Sequence, residues 1–324
     1  MNTVYTTTIT EKAAERGINV EVIDPELPVF LLSYKGKNIR CFNSLTDKTG
    51  AATFHLANVK SSANYFLCKN GFPVPAQAPF TSLENAINFL DKFKCVVVKT
   101  CTQWGGRGVS THIRTIYDLK KAISFAKRFC DTIVLEECVE GIDWRLIFVN
   151  YKFVAAIQRN PASIKGNGKD SIRTLINKKN AFAKKNIDKS NIVPLNKETQ
   201  RCIQEQGLTY DSVPVCGRRI QVRWTTNFHT GGTIDIVTDI IPDFLIKEAQ
   251  KIAQLFQLTV TGIDFLFNPE TSRYYIIEVS PDMAISPPEG DIVAEAFLDY
   301  LFPESAGKDK LLNKETEDIH ALAI

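Results

Sequence analysis

Asp264 and Glu278 are the two residues of this chain that packing explains least. Each interrupts an apolar run, Ile263–Phe267 in one case and Tyr274–Val279 in the other. Asn268, Pro269, Glu270, Thr271 and Ser272 lie between the runs, so the stretch 260–280 predicts a β-hairpin around a polar turn. A lone charge in a buried strand is costly unless something pairs it. Two carboxylates on neighbouring strands imply a shared counter-ion. Mg²⁺ fits, because it takes oxygen ligands and is commonly held by one or two carboxylates plus substrate phosphates. The alternative, equally open on spacing, is that each carboxylate sits at a strand end and pairs with Arg or Lys.

Other stretches offer complementary chemistry. Cys95-Val-Val-Val-Lys99 reads as a buried strand ending in a lysine. Gly105, Gly106 and Gly108 follow it, in a loop able to lay backbone N–H groups over phosphates or to serve only as a surface turn. Neither G-x-x-x-x-G-K-[ST] nor G-x-G-x-x-G is present. Glu136, Glu137, Glu140 and Asp143 cluster where the strand 132–139 ends. They suit ribose hydroxyls and an adenine amine, or form a solvated acidic turn. Lys178, Lys179, Lys184, Lys185, Lys189 and Lys197 form a basic run, read as a solvated face or as steering for anions.

The elements that must position these groups follow from periodicity and punctuation. Helices are expected over 10–16, stopped by Gly17, and over 60–70, ended by Gly71-Phe-Pro-Val-Pro75. Further helices are expected over 82–92, 116–129, 171–177, 242–257 and 291–302. Hairpins are expected at 29–42, turned at Lys35-Gly36, and at 144–158, turned at 150–152. A chain of 324 residues can bury a large core and form two or three lobes. Its net charge of +3 gives no case for a nucleic-acid partner. No apolar run approaches the roughly 20 residues of a membrane span, and residues 1–16 lack a signal-peptide core. The eight cysteines contain no C-x-x-C pair and suit free thiols in a reducing cytoplasm. The four scattered histidines argue against zinc.

Together the pieces resemble an ATP-grasp ligase, and in particular the ATP-grasp region of cyanophycin synthetases. More loosely, they resemble the glutathione synthetase half of bifunctional glutathione synthetases. The resemblance rests on R-G-I-N-V-E-V-I-D (16–24), G-F-P-V-P (71–75), V-V-V-K (96–99), G-G-R-G-V (105–109) and V-L-E-E-C-V-E-G (134–141). It continues through G-N-G-K-D-S-I-R-T-L-I (166–176), Q-G-L-T-Y-D-S-V-P (206–214), T-G-G-T-I-D-I-V-T-D (230–239), G-I-D-F-L (262–266) and I-I-E-V (276–279), all in family order.

The resemblance implies an α+β ATP-grasp fold whose two lobes clasp ATP. The expected divisions are a reduced N-terminal lobe (1–58), a lid subdomain (59–135), a C-terminal subdomain with the metal site (136–303) and a charged tail (304–324). It implies that Lys60 and Lys99 hold ATP phosphates and that Gly105, Gly106, Arg107 and Gly108 close over them. Glu136 would face the adenine amine, Cys138 and Val139 would offer hinge backbone groups, and Glu140 or Asp143 would bind ribose. Asp264, Glu278 and Ser280 would ligate Mg²⁺, with Mn²⁺ as the alternative ion. Arg223 and Asn227, with the Gly231-Gly232 backbone, would sit near the reacting groups, although Trp224 stands where the family often has a second arginine.

The implied reaction is ligation of an amino-acid or peptide carboxylate to an amine through an acyl phosphate, in the cytoplasm. No nucleic acid and no membrane are expected as partners, and a homodimer is left open. Two departures bear on this. Glu278-Val-Ser280 replaces the family's Glu-x-Asn, which motivates a second reading, a catalytically impaired ATP-binding module; Asp282 is a candidate to compensate. The chain also stops about twenty residues past Leu301-Phe-Pro303, where cyanophycin synthetases continue into a Mur-ligase-like domain, and a counterpart of their N-terminal domain is expected to be absent or reduced here. Polymerisation of cyanophycin by this chain alone is therefore not expected.

Overall fold

The computed structural model describes residues 4–24, 26–103, 105–283 and 285–306. The tail expected over 304–324 therefore lies, from 307 onward, outside the described residues.

Helix α1 (Val4–Glu15) leads into a four-stranded antiparallel meander, β1 (Asn19–Asp24), β2 (Val29–Tyr34), β3 (Lys37–Phe42) and β4 (Leu45–Thr46). Lys35 (φ 46°) and Gly36 (φ 82°) both adopt the left-handed conformation at the β2–β3 turn. Such a turn matches the twist of the strands it joins. Helices α2 (Ala51–Asn58) and α3 (Lys60–Lys69) come next. Then β5 (Gln77–Pro79), α4 (Leu83–Phe93), β6 (Val96–Thr100), β7 (Ser110–Ile113), α5 (Ile116–Ala126) and β8 (Ile133–Glu137) build a second sheet, in the order β5-β8-β6-β7. Ser82 and Thr115 start its helices by accepting the Asn85 and Asp118 amides, which satisfies otherwise orphaned donors.

The largest sheet has the order β13-β10-β9-β14-β15, formed by β9 (Ile142–Val149), β10 (Lys152–Asn160), β13 (Thr233–Ile236), β14 (Val260–Asn268) and β15 (Arg273–Ser280). Between β10 and β13 the chain makes a small unit from β11 (Ser163–Lys165), α6 (Ile172–Asn186), α7 (Lys197–Gln204) and β12 (Arg219–Gln221). Helix α8 (Asp243–Leu255) precedes the β14–β15 hairpin and α9 (Gly290–Leu301) follows it.

Alternation along the large sheet assigns its faces. Trp144, Leu146, Phe148, Ile263, Phe265, Phe267, Ile276 and Val279 point into a core closed by α2, α3 and α8. Ile147, Val149 and Ala155, on the opposite face, meet α1, the meander and α9 in a second core. The β5–β8 sheet with α4 and α5 has a third core, and the 162–222 unit a fourth. The helices α2 and α3 thus pack with the large sheet.

The helix expected over 171–177 runs on to Asn186. Ile172, Ile176 and Ala183 recur at helical spacing and are buried, and lysines are good helix formers on the outer side, so the basic run extends the helix. The short helices α2 and α7 and the short strands β4, β5, β7, β11 and β12 were not expected, because windows that short carry little periodicity; β13 was expected, at 234–237.

Phe265 is fully buried and stacks against Tyr274 edge-on. Phe265→Ala is expected to lower the unfolding free energy by about 3–5 kcal/mol in urea titrations monitored by circular dichroism.

Candidate active site

A cleft of about 1690 Å³ lies between the β5–β8 sheet, the large sheet and the 162–222 unit. That exceeds the roughly 300–1,000 Å³ of a pocket for one small molecule. Its floor is the unpacked end of the large sheet.

Asp264 is paired in register with Glu278 on β15 and with Arg145 on β9, so the three side chains share one face. A bulge decides this. Phe265 pairs with Ile276 while Asp264 pairs with Glu278, leaving Ile277 as the extra residue. The bulge lets Ile276 stay in the core while both Ile277 and Glu278 line the cleft. Two residues on, Ser280 lines it too. Gly262 makes room: a Cβ there would lie 3.0 Å from Arg145 Cδ.

Asp264 is 2% exposed and does not stand alone. Arg145 donates through Nε to Oδ1 (2.6 Å) and through Nη2 to Oδ2 (3.0 Å). Arg159 donates to Oδ2 (2.8 Å) and also to Asp143 Oδ1 (2.6 Å). Thr226 donates to the other Asp143 oxygen. Burial opposes ionisation of Asp264, and the two guanidiniums outweigh it, holding the carboxyl at about 2. Sequence reasoning missed Arg145 and Arg159. Their signal was charge at inward positions of a hairpin otherwise apolar, the same signal that marked Asp264.

The other walls carry paired charges. Lys60 opens α3 and donates to Glu278 Oε1 (3.0 Å). Lys99, 5% exposed at the end of β6, meets Glu136 Oε2 at 2.5 Å, and Gln77 donates to the same oxygen. Cys138, Val139 and Glu140 line the cleft along the segment joining the two sheets, and Asp143 lines it from the start of β9. The Cys138 amide is already taken by the Cys95 carbonyl (3.1 Å).

Gly105 and Gly106 line the cleft, and Asn227 reaches across to donate to the Gly105 carbonyl (2.5 Å). Arg107 is exposed outside the lining. Gly108 (φ 72°) is packed against Thr100, where a Cβ would come within 2.8 Å of Cγ2, so its role here is in the turn. Arg223 is not part of the lining. Its Nη1 donates to Asn196 Oδ1 (2.9 Å) and Thr199 Oγ1 (3.3 Å) at the start of α7, while Trp224 faces the cleft. The structure thus brings together Lys60, Lys99, Gly105, Gly106, Glu136, Cys138, Val139, Glu140, Asp143, Asn227, Asp264, Glu278 and Ser280. It leaves Arg107, Gly108 and Arg223 aside.

The donor set suits a hard cation. Among the described residues no group of three or more His, Cys, Asp or Glu side chains could hold an ion by itself. Asp264 and Glu278 supply two carboxylates on one face, and Ser280 adds a hydroxyl, which donates to the Asp282 carbonyl (3.2 Å) and keeps its lone pairs. Two carboxylates, with further oxygens from a phosphate ligand, is the usual way of holding Mg²⁺.

Across the mouth, Arg201 of α7 donates to the His112 (2.5 Å) and Thr111 carbonyls of β7, and Arg114 meets Glu205 at 3.2 Å. The His112 ring stacks on Trp224, with centroids 4.2 Å apart. Burial, helped by the charges of Arg114 and Arg201, pushes its imidazole down to about 4.

This chain matches no protein-family profile. It is 29% identical over 327 residues to cyanophycin synthetase from Trichormus variabilis, an alignment that covers 95% of this chain and 36% of that protein. It is 27% identical over 314 residues to the glutathione biosynthesis bifunctional protein GshAB of Listeria innocua, covering 91% of this chain and 40% of that protein. In structure it is similar to a bifunctional glutathione synthetase from Pasteurella multocida, with a TM-score of 0.63 and 23% identity over 93% of this chain and 44% of that one. The chain therefore spans less than half the length of these relatives. The fold is the expected ATP-grasp arrangement, α+β halves closing on a cleft.

Two outcomes follow from the paired charges. Arg159→Met leaves Asp143 and Asp264 short of a shared cation and is expected to cost about 3 kcal/mol of stability in urea unfolding. His112 resists protonation when folded, so acidification from its ordinary value of 6.5 to about 4 protonates the unfolded chain first and destabilises the fold. The Tm should fall over that window, and His112→Phe should show a smaller fall.

Proposed function

We propose that this chain is an ATP-dependent carboxylate–amine ligase that forms an amide bond through an acyl phosphate and releases ADP. The observation that carries the reading is the convergence, in one cleft of an ATP-grasp fold, of Lys60, Lys99, the hinge 136–143 and the cross-strand pair Asp264–Glu278. The substrates on this reading are an amino-acid or peptide carboxylate and an amine, handled in the cytoplasm, in line with eight free cysteines.

Each group has a physical task. Lys60, half-buried, and Lys99, buried, stand in the cleft walls, where a positive charge offsets that of a triphosphate. Their present partners, Glu278 and Glu136, hold them in place until phosphate oxygens compete. Asp264, Glu278 and Ser280 would hold Mg²⁺, which when bound neutralises phosphate charge and orients the transferring group. Arg145 and Arg159 fix the Asp264 carboxylate, so its geometry is set before ligands arrive. The Gly105-Gly106 loop, tethered by Asn227, and the Arg201 latch on β7 keep water from a hydrolysable intermediate. We read the β5–β8 sheet as the lid and residues 1–58 as a reduced N-terminal lobe.

Ser280 and the turned-away Arg223 favour a second reading, an ATP-binding module without turnover. One assay separates the two. Purified protein with ATP, Mg²⁺ and a panel of amino acids and dipeptides should release ADP only when a carboxylate and an amine are both supplied. An ATP analogue that binds normally, with no ADP release for any pair, would establish the module instead. Glu278→Gln should reduce ligation by at least about a hundredfold while leaving the circular dichroism spectrum unchanged.

A further inference from the structure

Beyond Ser280 the cleft wall changes character. Asn43 sits in the tight β3–β4 turn with a left-handed backbone (φ 49°) and donates through Nδ2 to Asp282 Oδ2 (3.2 Å). Its own Oδ1 has no donor among the described residues; the Asp282 carboxylate is also held by the Ser44 backbone, but its Oδ1 has no donor either, and both atoms are buried. Glu289, seven residues past Asp282 at the start of α9, is 6% exposed, and its Oε2 is likewise buried and unpaired. All three residues line the same cleft. Arg145, the cation whose charge reaches Glu289, is already committed to Asp264 through two nitrogens.

Buried acceptors normally have partners, and unpaired carboxylate oxygens lining a cleft call for one. Two carboxylates and an amide oxygen accept and do not donate, apart from the Asn43 NH₂ already spent on Asp282. A cationic nitrogen, which brings several N–H donors and a positive charge, would satisfy them.

We propose that Asn43, Asp282 and Glu289 form a subsite for a cationic nitrogen, ammonium or guanidinium, carried by one substrate and not itself acylated. This rests on the ligase reading for its place in the reaction, although binding can be tested without turnover. Its place next to Ser280, whose hydroxyl donates to the Asp282 carbonyl, puts the cation beyond the carboxylates of the cleft floor, at the substrate end. The N-terminal meander then contributes a specificity residue, Asn43, to a cleft otherwise built by later segments.

The test is calorimetric, on the whole chain with a non-hydrolysable ATP analogue and Mg²⁺. L-lysine is compared with its neutral isostere L-norleucine, and L-arginine with L-citrulline. The cationic member of a pair should bind about tenfold or more tightly, because a site built for N–H donors rejects the isostere that lacks them. Glu289→Gln should remove most of that preference without changing affinity for the ATP analogue. Asn43→Asp, which keeps the shape and suits a left-handed turn, should strengthen cation binding several-fold. Equal binding of cationic and neutral partners, or an unchanged preference in both variants, would overturn the subsite. So would loss of the cation preference when Mg²⁺ is raised well above the level that saturates the ATP analogue, which would make it a metal site. A retained preference with no ADP release for any pair would leave the subsite standing and remove the ligase.

Discussion

The cleft depends on one constraint: charges placed on a sheet face that solvent scarcely reaches must be paired there. Asp264 receives hydrogen bonds from Arg145 and Arg159, and Arg159 carries the chain of pairing on to Asp143 and so to Thr226. The network crosses β9, β10 and β14 and reaches the segment before β13, so it ties the floor of the cleft to a wall. Buried ion pairs are weak evidence for added stability, since desolvation takes back much of the Coulombic gain. What the network provides is position. A carboxylate gripped by two guanidiniums cannot swing, and the cross-strand Glu278 is set relative to it by backbone pairing.

The remaining structure surrounds this floor with units that each have a separate core. Apolar residues on the rear face of the large sheet bury it under α2, α3 and α8, while the front face is divided between the meander with α9 and the open cleft. Because the β5–β8 sheet and the 162–222 unit hold their own cores, they contact each other through polar latches, Arg201 to β7 and Arg114 to Glu205, and Asn227, just past that unit, adds a bond to Gly105. Polar contacts of this kind open at lower cost than apolar ones, as a cleft that admits and releases ligands requires.

Charge is graded along the cleft. Lysines 60 and 99 stand on one side, each against a carboxylate. The arginine–aspartate network lies in the floor. Beyond Ser280, Asn43 bonds Asp282, and Glu289 lines the same cleft, each with an oxygen that lacks a donor. Burial pushes Asp282 up to about 6, against hydrogen bonds from the Asn43 side chain and the Ser44 backbone.

The sequence by itself determined the elements with strong period or punctuation. The β14–β15 hairpin, the Lys35-Gly36 turn, the strand ending at Lys99 and the helices α4, α5 and α8 all follow from local patterns, because the residues that dictate them are neighbours in the chain. It also marked Asp264 and Glu278 as charges out of place, and ordered motifs pointed to the ATP-grasp fold. Tertiary structure alone decided which charges meet. Arg145 and Arg159 lie 119 and 105 residues from Asp264, and no local rule pairs them. A bulge at Ile277 decided that Glu278 faces the cleft while Ile276 stays in the core, since a register shift of one residue reverses every side chain beyond it. Packing turned Arg223 toward α7 and left Trp224 at the wall. It also brought Asn43, from the first strands, against Asp282, 239 residues away. Spacing in a chain conveys local geometry, whereas the meeting of distant side chains depends on how separately formed cores dock, and that is settled only when the whole surface is buried.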